Sequence, residues 1–426
     1  MQDGDKRTFL FLQGPAAPFL KQIAREITLR GHRALRINFC LGDWLFWRIG
    51  GDVNFTGRIE EWRGFVSKFY VDNAVTDIVL LGDCREYHSI AIAEAHAREI
   101  RVHVVELGYV RPDWLTVERD GMTSFSHFPR DAATILAMAE TAPTPSLDQI
   151  YKSNFARMAT WDVLYNLSNV FLSRLFYRHY RYYALYHPVV EYAGWLRKFA
   201  RRRRERLHVR EVFQKLKRTR PRYYFFPLQL ATDFQIRTHS PFPNLEAAVE
   251  QAITSFARHA PPESRLVFKI HPMDNTWIDW RKLALTLGET LGCADRIDVL
   301  DGGRLETLIA YSEGVITINS TVGTAALRVG KPLIALGNAI FDVPGLTFQG
   351  SLDDFWTQAS APDPVLADAF IRVLVAKTQV RGGFFSWEGI AAGARGAADR
   401  ILYDGEILPR IAPQDREVVY FRRAAE

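Results

Sequence analysis

Hydrophobic residues along the chain fall into short runs, each closed by a glycine or polar turn and followed by a stretch of helical spacing. Phe9-Leu-Phe-Leu12 ends at Gln13-Gly14-Pro15, and helical spacing from about Phe19 to Arg30 stops at Gly31. Ala34 to Phe39 predicts a second strand closed by Gly42-Asp43. Asp77-Ile-Val-Leu-Leu81 predicts a buried strand ending at Gly82-Asp83-Cys84-Arg85. A helix from about His88 to Glu99 leads to a further strand, Val102 to Glu106, which stops at Leu107-Gly108. Apolar strands without polar alternation, spaced by helices, predict a parallel sheet covered on both faces.

From about Tyr151 the pattern changes to long helical stretches rich in Tyr, Phe, Trp and Arg, which run to the breaker at Pro221. A second α/β series follows, with strands at Tyr223 to Phe226, Leu266 to Ile270, Ile297 to Leu300, Gly314 to Ile318 and Pro332 to Leu336. Helices are predicted between them at about 244–258, 278–291, 304–312 and 323–329. The expected architecture is two Rossmann-like domains, 1–150 and 223–426, joined by a helical insert at 151–222. No internal repeat with a period of 20–50 residues is visible.

Composition narrows the class. The 426 residues are 48% hydrophobic and 24% charged, with 28 Gly, 20 Pro and 3 Cys, which excludes collagen-like, disordered and disulfide-scaffold chains. Cys40, Cys84 and Cys293 are far apart and form no C-x-x-C pair, so a reducing compartment is expected. The polar N-terminus leads into an apolar run too short for a signal-peptide core. No uncharged apolar stretch reaches the roughly 18 residues of a spanning helix. A cytoplasmic protein that touches a membrane surface is the expectation.

Charge is unevenly placed. Residues 151–222 hold 18 Lys/Arg against 4 Asp/Glu, whereas the whole chain carries a formal +6, so the remainder is acidic. Within this segment, Phe171-Leu-Ser-Arg-Leu-Phe-Tyr-Arg-His-Tyr-Arg and Trp195-Leu-Arg-Lys-Phe-Ala-Arg-Arg-Arg-Arg204 mix aromatic and basic residues at helical spacing. Such helices suit an anionic membrane surface. A stripe for single-stranded nucleic acid and a solvated charged face are the other readings. No recognised nucleic-acid fold accompanies the stripe, and nucleic acid is not expected as a partner.

Chemistry in doubly wound sheets lies just past the carboxyl ends of the strands. Thr317-Ile-Asn-Ser-Thr-Val-Gly-Thr-Ala-Ala-Leu327 runs from a buried strand into hydroxyls at a helix start, which is either an anion site suited to phosphate or an ordinary cap. The P-loop lysine and the G-x-G-x-x-G spacing are both missing. Arg265 to Asp274 is a strand, carrying Lys269, that ends in His271-Pro272. The imidazole is there either a hydrogen-bond donor to a nucleotide phosphate, projecting into the inter-domain cleft, or a structural residue.

Glu106 ends an apolar strand ahead of Gly108, Arg111 and Trp114, the composition of a cleft wall. It is either a general acid/base or a salt-bridge partner of Arg111. The segment Phe226 to Ser240 offers Gln229, Asp233, Arg237 and His239 for substrate contact, with Asp233 a candidate carboxylate nucleophile; the bland reading is a loop that caps the next helix. Gln13, Asp43 and Asp83 sit in loops of the first half that suit hydroxyl-rich ligands. The scattered His residues and the lack of H-E-x-x-H give no indication of a metal site, and no G-x-S-x-G elbow occurs.

Taken in order, these segments resemble the bacterial capsule polysaccharide synthesis and export family, in particular its KpsS-type β-Kdo glycosyltransferases. The resemblance covers nearly the whole chain. It rests on Arg36-Ile-Asn-Phe with Gly42-Asp43, Leu81 to Arg85, Glu106 to Trp114, Gln229 with Thr232 to Pro241, Lys269 with His271 to Asp274, Asn319 to Thr324, and Ala339 to Gly350. It implies a GT-B-like enzyme, two Rossmann-like domains facing a cleft. Such an enzyme moves Kdo from CMP-β-Kdo to a lysophosphatidylglycerol at the cytoplasmic face of the inner membrane, and so starts the poly-Kdo linker of capsular polysaccharide.

By the same resemblance the first domain is on the acceptor side and the last binds the nucleotide sugar. His271, Pro272, Ser320 and Thr321, with Lys269 and Asn319 beside them, would hold the nucleotide; Asp233 would be the nucleophile of a retaining reaction; Glu106 would be the acid/base. The family's Glu-Asp-Gly reads Glu106-Leu-Gly here. Gln229, Arg237, His239, Arg111, Asp83 and Gln13 would contact substrate. No cofactor or metal is expected in the transfer step. A second Kdo transferase and the capsule export machinery are the implied protein partners. A non-enzymatic export or lipid-binding scaffold, and a GT-B transferase with another nucleotide sugar, are the rival functions.

Overall fold

The computed structural model describes residues 6–182, 186–275 and 277–403, with the side chains of Arg174, Phe234 and Gln235 left aside. Residues 1–5 of the polar N-terminus and 404–426 of the expected last domain lie outside the described residues. Twelve strands are formed among those described. In chain order they begin with β1 (Thr8–Phe11), β2 (Arg33–Asn38), β3 (Asp52–Asn54), β4 (Asp77–Leu81), β5 (Arg101–Leu107) and β6 (Trp114–Arg119). Then come β7 (Tyr223–Pro227), β8 (Arg265–Lys269), β9 (Ile297–Leu300), β10 (Gly314–Thr317), β11 (Leu333–Ala335) and β12 (Gln379–Arg381).

Among the described residues the chain divides into two compact units, one drawing on residues 6–128, 144–182 and 374–403, the other on 129–143, 186–275 and 277–373. The first unit is built on a seven-stranded sheet in the order β12-β6-β5-β4-β1-β2-β3. Its inner pairs are parallel, whereas β6 runs antiparallel to β5 and β12 antiparallel to β6. Phe9, Phe11, Val79, Leu81, Val105 and Leu115 meet the helices Phe19–Leu29 and Trp387–Tyr403 in one core. The apolar runs at β1, β4 and β5 read as strands because both faces of the sheet are covered.

The second unit holds an all-parallel, five-stranded sheet, β11-β10-β7-β8-β9. Tyr224, Phe226, Leu266, Phe268, Ile316 and Ile318 face the helices Leu245–His259 and Trp280–Thr290. Both sheets contain the Rossmann order: the first strand of each series lies in the middle, its second and third neighbours step out one way, and the fourth and fifth step out the other.

Two expectations about organisation differ from this picture. The last domain does not hold all of 223–426, because β12 adds to the edge of the first sheet and Trp387–Tyr403 packs on Phe19–Leu29. The insert is not one body either. Its helix Phe155–Phe176 belongs to the first unit, and its 32-residue helix Pro188–Thr219 belongs to the second. Periodicity marks a helix but not the sheet it lies on, so composition alone grouped them.

Candidate functional site

In sheets of this order, ligands bind where the connections diverge, between β1 and β4 in the first unit and between β7 and β10 in the second. Each place is bridged by a buried glutamine two residues beyond the first strand, Gln13 after β1 and Gln229 after β7. Both follow a leucine, in Leu12-Gln13 and Leu228-Gln229.

In the second unit Gln229 Nε2 donates to Asn319 Oδ1 (2.9 Å), and the Asn319 backbone N–H donates to Gln229 Oε1 (3.3 Å). Asn319 Nδ2 donates to the His239 carbonyl (3.4 Å), which also accepts the Asn338 N–H (2.8 Å). Breaking one side of a buried amide pair costs about 1–3 kcal/mol of desolvation. Gln229 and Asn319 therefore hold the ends of β7 and β10 together, and Asn319 delivers the chain into Ser320-Thr321.

The Ser320 N–H donates to Thr317 Oγ1 (3.0 Å), and Ser320 Oγ accepts the Val322 N–H (3.3 Å) at the start of the helix Val322–Arg328. The Thr321 side chain makes no cap bond, so two half-buried hydroxyls lie side by side at this turn. Gly323 has a packing cause. A Cβ there would lie 2.1 Å from Phe341 Cζ and 2.6 Å from both Cε atoms.

At the end of β8, His271 Nδ1 accepts the Met273 N–H (3.1 Å). The neutral ring therefore carries its proton on Nε2 and is a donor there. This turn is held from behind by the helix Pro188–Thr219. Lys198 Nζ donates to the carbonyls of Pro272 (3.0 Å) and Asp274 (3.1 Å) and pairs with Asp301 (3.4 Å). Close approach is possible because residue 194 is glycine: a Cβ there would meet the Asn275 carbonyl at 2.5 Å.

Lys269 is buried beside the same group; burial lowers its pKa and Lys198 lowers it further, against the opposing charge of Asp301. Asp233 is half-buried immediately before the short helix Phe234–His239, its N–H bonded to Leu230 O (2.9 Å). On that helix Arg237 is exposed and His239 buried.

In the first unit Gln13 is enclosed. Its Nε2 lies within bonding distance of Tyr165 Oη (2.9 Å), Tyr180 Oη (3.0 Å) and Asp43 Oδ2 (3.3 Å), while Oε1 accepts from Arg85 Nη1 (2.8 Å). Asp43 also pairs with Arg36 (3.1 Å) and accepts the Phe39 N–H (3.1 Å). Gln13, expected from its loop to contact substrate, is held here by the two tyrosines of the insert, Tyr165 and Tyr180.

Asp83 is likewise engaged, accepting from the Met122 N–H (2.7 Å) and from Cys84 Sγ (3.0 Å). Glu106, at the end of β5, accepts its neighbour Leu107's N–H (2.9 Å), and its other oxygen lies over Gly82, 3.3 Å from where a Cβ would stand. Arg111 Nε donates to the Gly108 carbonyl (3.3 Å). Arg36, Tyr165, Gly194 and Lys198 are the contributors that sequence reasoning missed as such. The i, i+4 pair Gly194 and Lys198 was the available signal, since those positions share a helix face.

Comparison with known proteins adds the family. A family model described as capsule polysaccharide biosynthesis protein matches residues 76–385. The capsule polysaccharide export protein KpsS of Escherichia coli is 33% identical over 386 residues, 89% of this chain and 97% of that one. The capsule polysaccharide modification protein LipB of Neisseria meningitidis serogroup A is 30% identical, over 88% of this chain and 91% of its own. Among solved structures, the β-Kdo 2,7-transferase of Thermosulfurimonas dismutans KpsC aligns with a TM-score of 0.44 at 13% identity, covering 93% of this chain and 99% of that one. From the family-model match and the identities to KpsS and LipB, the chain belongs to the capsule polysaccharide biosynthesis protein family.

Proposed function

We propose that this protein is a retaining glycosyltransferase that moves Kdo from CMP-β-Kdo to a lysophosphatidylglycerol, beginning the Kdo linker of capsular polysaccharide. The observation that carries the reading is the clamp at the end of β7 and β10. Gln229 and Asn319 fix the turn that presents the Ser320 and Thr321 hydroxyls, and the neighbouring strand β8 ends at the His271 donor. Fixed donors of this kind stabilise charge that develops on a leaving phosphate without reorganising. Family membership and the match to KpsS over most of both chains support the same assignment.

In this reaction Asp233 attacks the anomeric carbon as its bond to the CMP oxygen breaks, and CMP leaves with the electron pair. The acceptor hydroxyl then displaces Asp233 and gives its proton to a base, the role we assign to Glu106. Two displacements retain configuration, as in retaining glycosidases. The reading assigns the leaving phosphate to protein donors and calls for no metal or cofactor. It sets the protein on the cytoplasmic face of the inner membrane, with a second Kdo transferase and the export machinery as partners. Exposed Phe171, Leu175 and Phe176 on one insert helix and Leu196 and Phe199 on the other support contact with a lipid surface. No helix among the described residues is long and apolar enough to cross a membrane.

The test is purified protein with CMP-Kdo generated in situ and a fluorescent lysophosphatidylglycerol. A mass gain of one Kdo with the anomeric configuration of the donor is expected, lost in Asp233→Ala. Inversion, or an unchanged rate in Asp233→Ala, would remove the nucleophile. No product from folded protein would remove the donor and acceptor assignment.

A further inference from the structure

The first unit carries a surface where arginines lie over tryptophans and have no acid to pair with. Arg157, in the first turn of the helix Phe155–Phe176, places its guanidinium 5.9 Å from the ring centre of Trp161 and 5.5 Å from that of Trp387. The two indoles meet edge to face with their centres 5.3 Å apart, and Phe46 lies 6.1 Å from Trp161. A cation within about 6 Å of a ring centre is attracted to the π face, so two rings hold this one guanidinium in place. Arg157 is half-buried, yet its side chain has no hydrogen bond or ion pair among the described residues. Its N–H donors are therefore oriented before any ligand arrives.

A second pair repeats the arrangement. Arg48 lies 5.0 Å from the ring centre of Trp44, which is 37% exposed. Arg48 ends the helix Leu41–Trp47 with φ 44°, a left-handed position that usually falls to glycine, so an arginine stands there at a backbone cost. Phe46 of the same helix reaches Trp161 and joins the two pairs into one surface. Lys21 and Arg25 lie beside it, spaced i, i+4 on the helix Phe19–Leu29. Burial lowers the pKa of Lys21, and Arg25 and Arg48 lower it further, with no carboxylate acting against them. None of Lys21, Arg25 and Arg48 has an ion pair or a side-chain hydrogen bond among the described residues, although the chain outside residues 151–222 is acidic on balance. Like charges gathered without a counter-ion mark a place for an anion.

We propose that this surface binds an acidic oligosaccharide, one sugar carboxylate on Arg157 with its ring against Trp387, and a further sugar on Arg48 and Trp44. A guanidinium offers two parallel N–H donors that match a carboxylate, and an indole offers a flat apolar face that covers the C–H side of a pyranose. A carboxylated sugar presents both features on one ring. Single-stranded nucleic acid stacks successive bases on parallel rings, whereas Trp161 and Trp387 are inclined at 70° to one another. A bilayer surface calls for aliphatic and aromatic side chains that enter it, whereas Trp44, Arg48, Arg157 and Trp387 leave indole and guanidinium outermost. Neither the nucleotide turn of the second unit nor the residues expected at substrate in the first, Gln13, Asp83, Glu106 and Arg111, belong to this surface. Binding measured without donor or acceptor therefore stands or falls separately from Kdo transfer.

The experiment is calorimetric titration of the full chain with tetragalacturonic acid, and with maltotetraose as its uncharged counterpart. Saturable binding of the acid is expected, with the neutral sugar about tenfold weaker or more. Arg157→Lys keeps the charge but loses the planar fork, and Trp387→Leu removes a ring that is 51% exposed; each should weaken binding about tenfold with the urea midpoint little changed. Arg258→Gln, which removes one exposed charge from the helix Leu245–His259 of the second unit, should change it less than about twofold. Full affinity in Arg157→Lys and Trp387→Leu would overturn the paired arginine and indole as the site, and an equal loss in Arg258→Gln would overturn it in favour of diffuse charge. An oligothymidylate or phosphatidylglycerol vesicles bound more tightly than the acid, and weakened by the same two variants, would overturn the saccharide in favour of nucleic acid or a membrane. No saturable binding of tetragalacturonic acid by the native chain would overturn the proposal outright.

Discussion

Gly323→Ala puts a single methyl group between the Ser320-Thr321 turn and Phe341. Its carbon would start 2.1 Å from Phe341 Cζ, whereas unstrained carbon atoms sit about 3.5–4.0 Å apart, so the two parts must separate by roughly 1.4 Å or more. Phe341 is 1% exposed and has no room to swing outward, which leaves the seven-residue helix Val322–Arg328 as the softer partner. Overpacking of this kind costs about 1–3 kcal/mol, and alanine in a helix recovers up to about 1 kcal/mol relative to glycine. The net destabilisation is therefore about 0–3 kcal/mol and the fold survives.

The displacement, however, is delivered two residues from Thr321. A misplacement of about 1 Å at a site that positions a reacting group costs about 10²-fold in rate. We expect a small fall in the urea midpoint, a rise in the CMP dissociation constant of at least tenfold by calorimetry, and transfer slowed about a hundredfold. Phe341→Leu in the Gly323→Ala background removes the edge of the ring and should recover most of the affinity, a coupling that a double-mutant cycle measures. Unchanged CMP affinity and turnover in Gly323→Ala would refute the placing of the nucleotide at this turn. Lost affinity that Phe341→Leu does not relieve would refute the packing account.

Three further outcomes follow from the geometry. His88 is buried, with Nδ1 bonded to the Gly82 carbonyl (2.8 Å) and Nε2 without a partner among the described residues, and burial, with Arg85 adding, pushes its pKa down to about 3. An unfolded histidine titrates near 6.5, so its contribution is full above about pH 6.5 and is lost as pH falls from there towards 3, by about 1.4 kcal/mol per unit. Urea midpoints should fall between pH 6.5 and 5, and less steeply in His88→Asn, whose amide keeps the Gly82 bond; equal slopes would exclude His88 as the source. Lys198→Met removes two bonds to the His-Pro turn, each worth about 1.5–3 kcal/mol, and should raise KM for the donor about tenfold with kcat little changed; a fall in kcat alone would contradict a positioning role. Gln13→Leu leaves Arg85, Asp43 and the two tyrosines short of a partner and should lower stability by about 2–4 kcal/mol in urea unfolding while CMP affinity is kept.

What was legible in the chain was what depends on neighbours in sequence. The strand runs at Phe9, Asp77, Leu266 and Gly314 are continuous because both sheet faces are covered, and each was found within a residue or so of its end. The segment Asn319 to Thr324 stood out because hydroxyls after a buried strand are locally unusual. The glutamines were noticed as polar, but their use was not, since bridging depends on a partner 90 residues away at Asn319 or 152 away at Tyr165. β6 and β12 were missed for the same reason: their antiparallel pairing joins Thr116 to Gln379 and has no signature in either segment. Nor does helical spacing in the insert state which sheet each helix will cover.

The return of the chain to its first sheet fixes an order of events during synthesis. Until β12 has emerged, β6 is a bare edge, and until Trp387–Tyr403 has emerged, Phe19, Ile23 and Ile27 lack the cover of Ala394, Ala397, Ala398 and Ile401. The ribosome makes the second unit's sheet while the first still waits, so the part begun earliest is finished last. An open edge of this kind invites pairing with other chains. A stop codon or protease cut just after residue 373 would therefore damage the unit begun at the amino terminus and leave the five-stranded sheet intact.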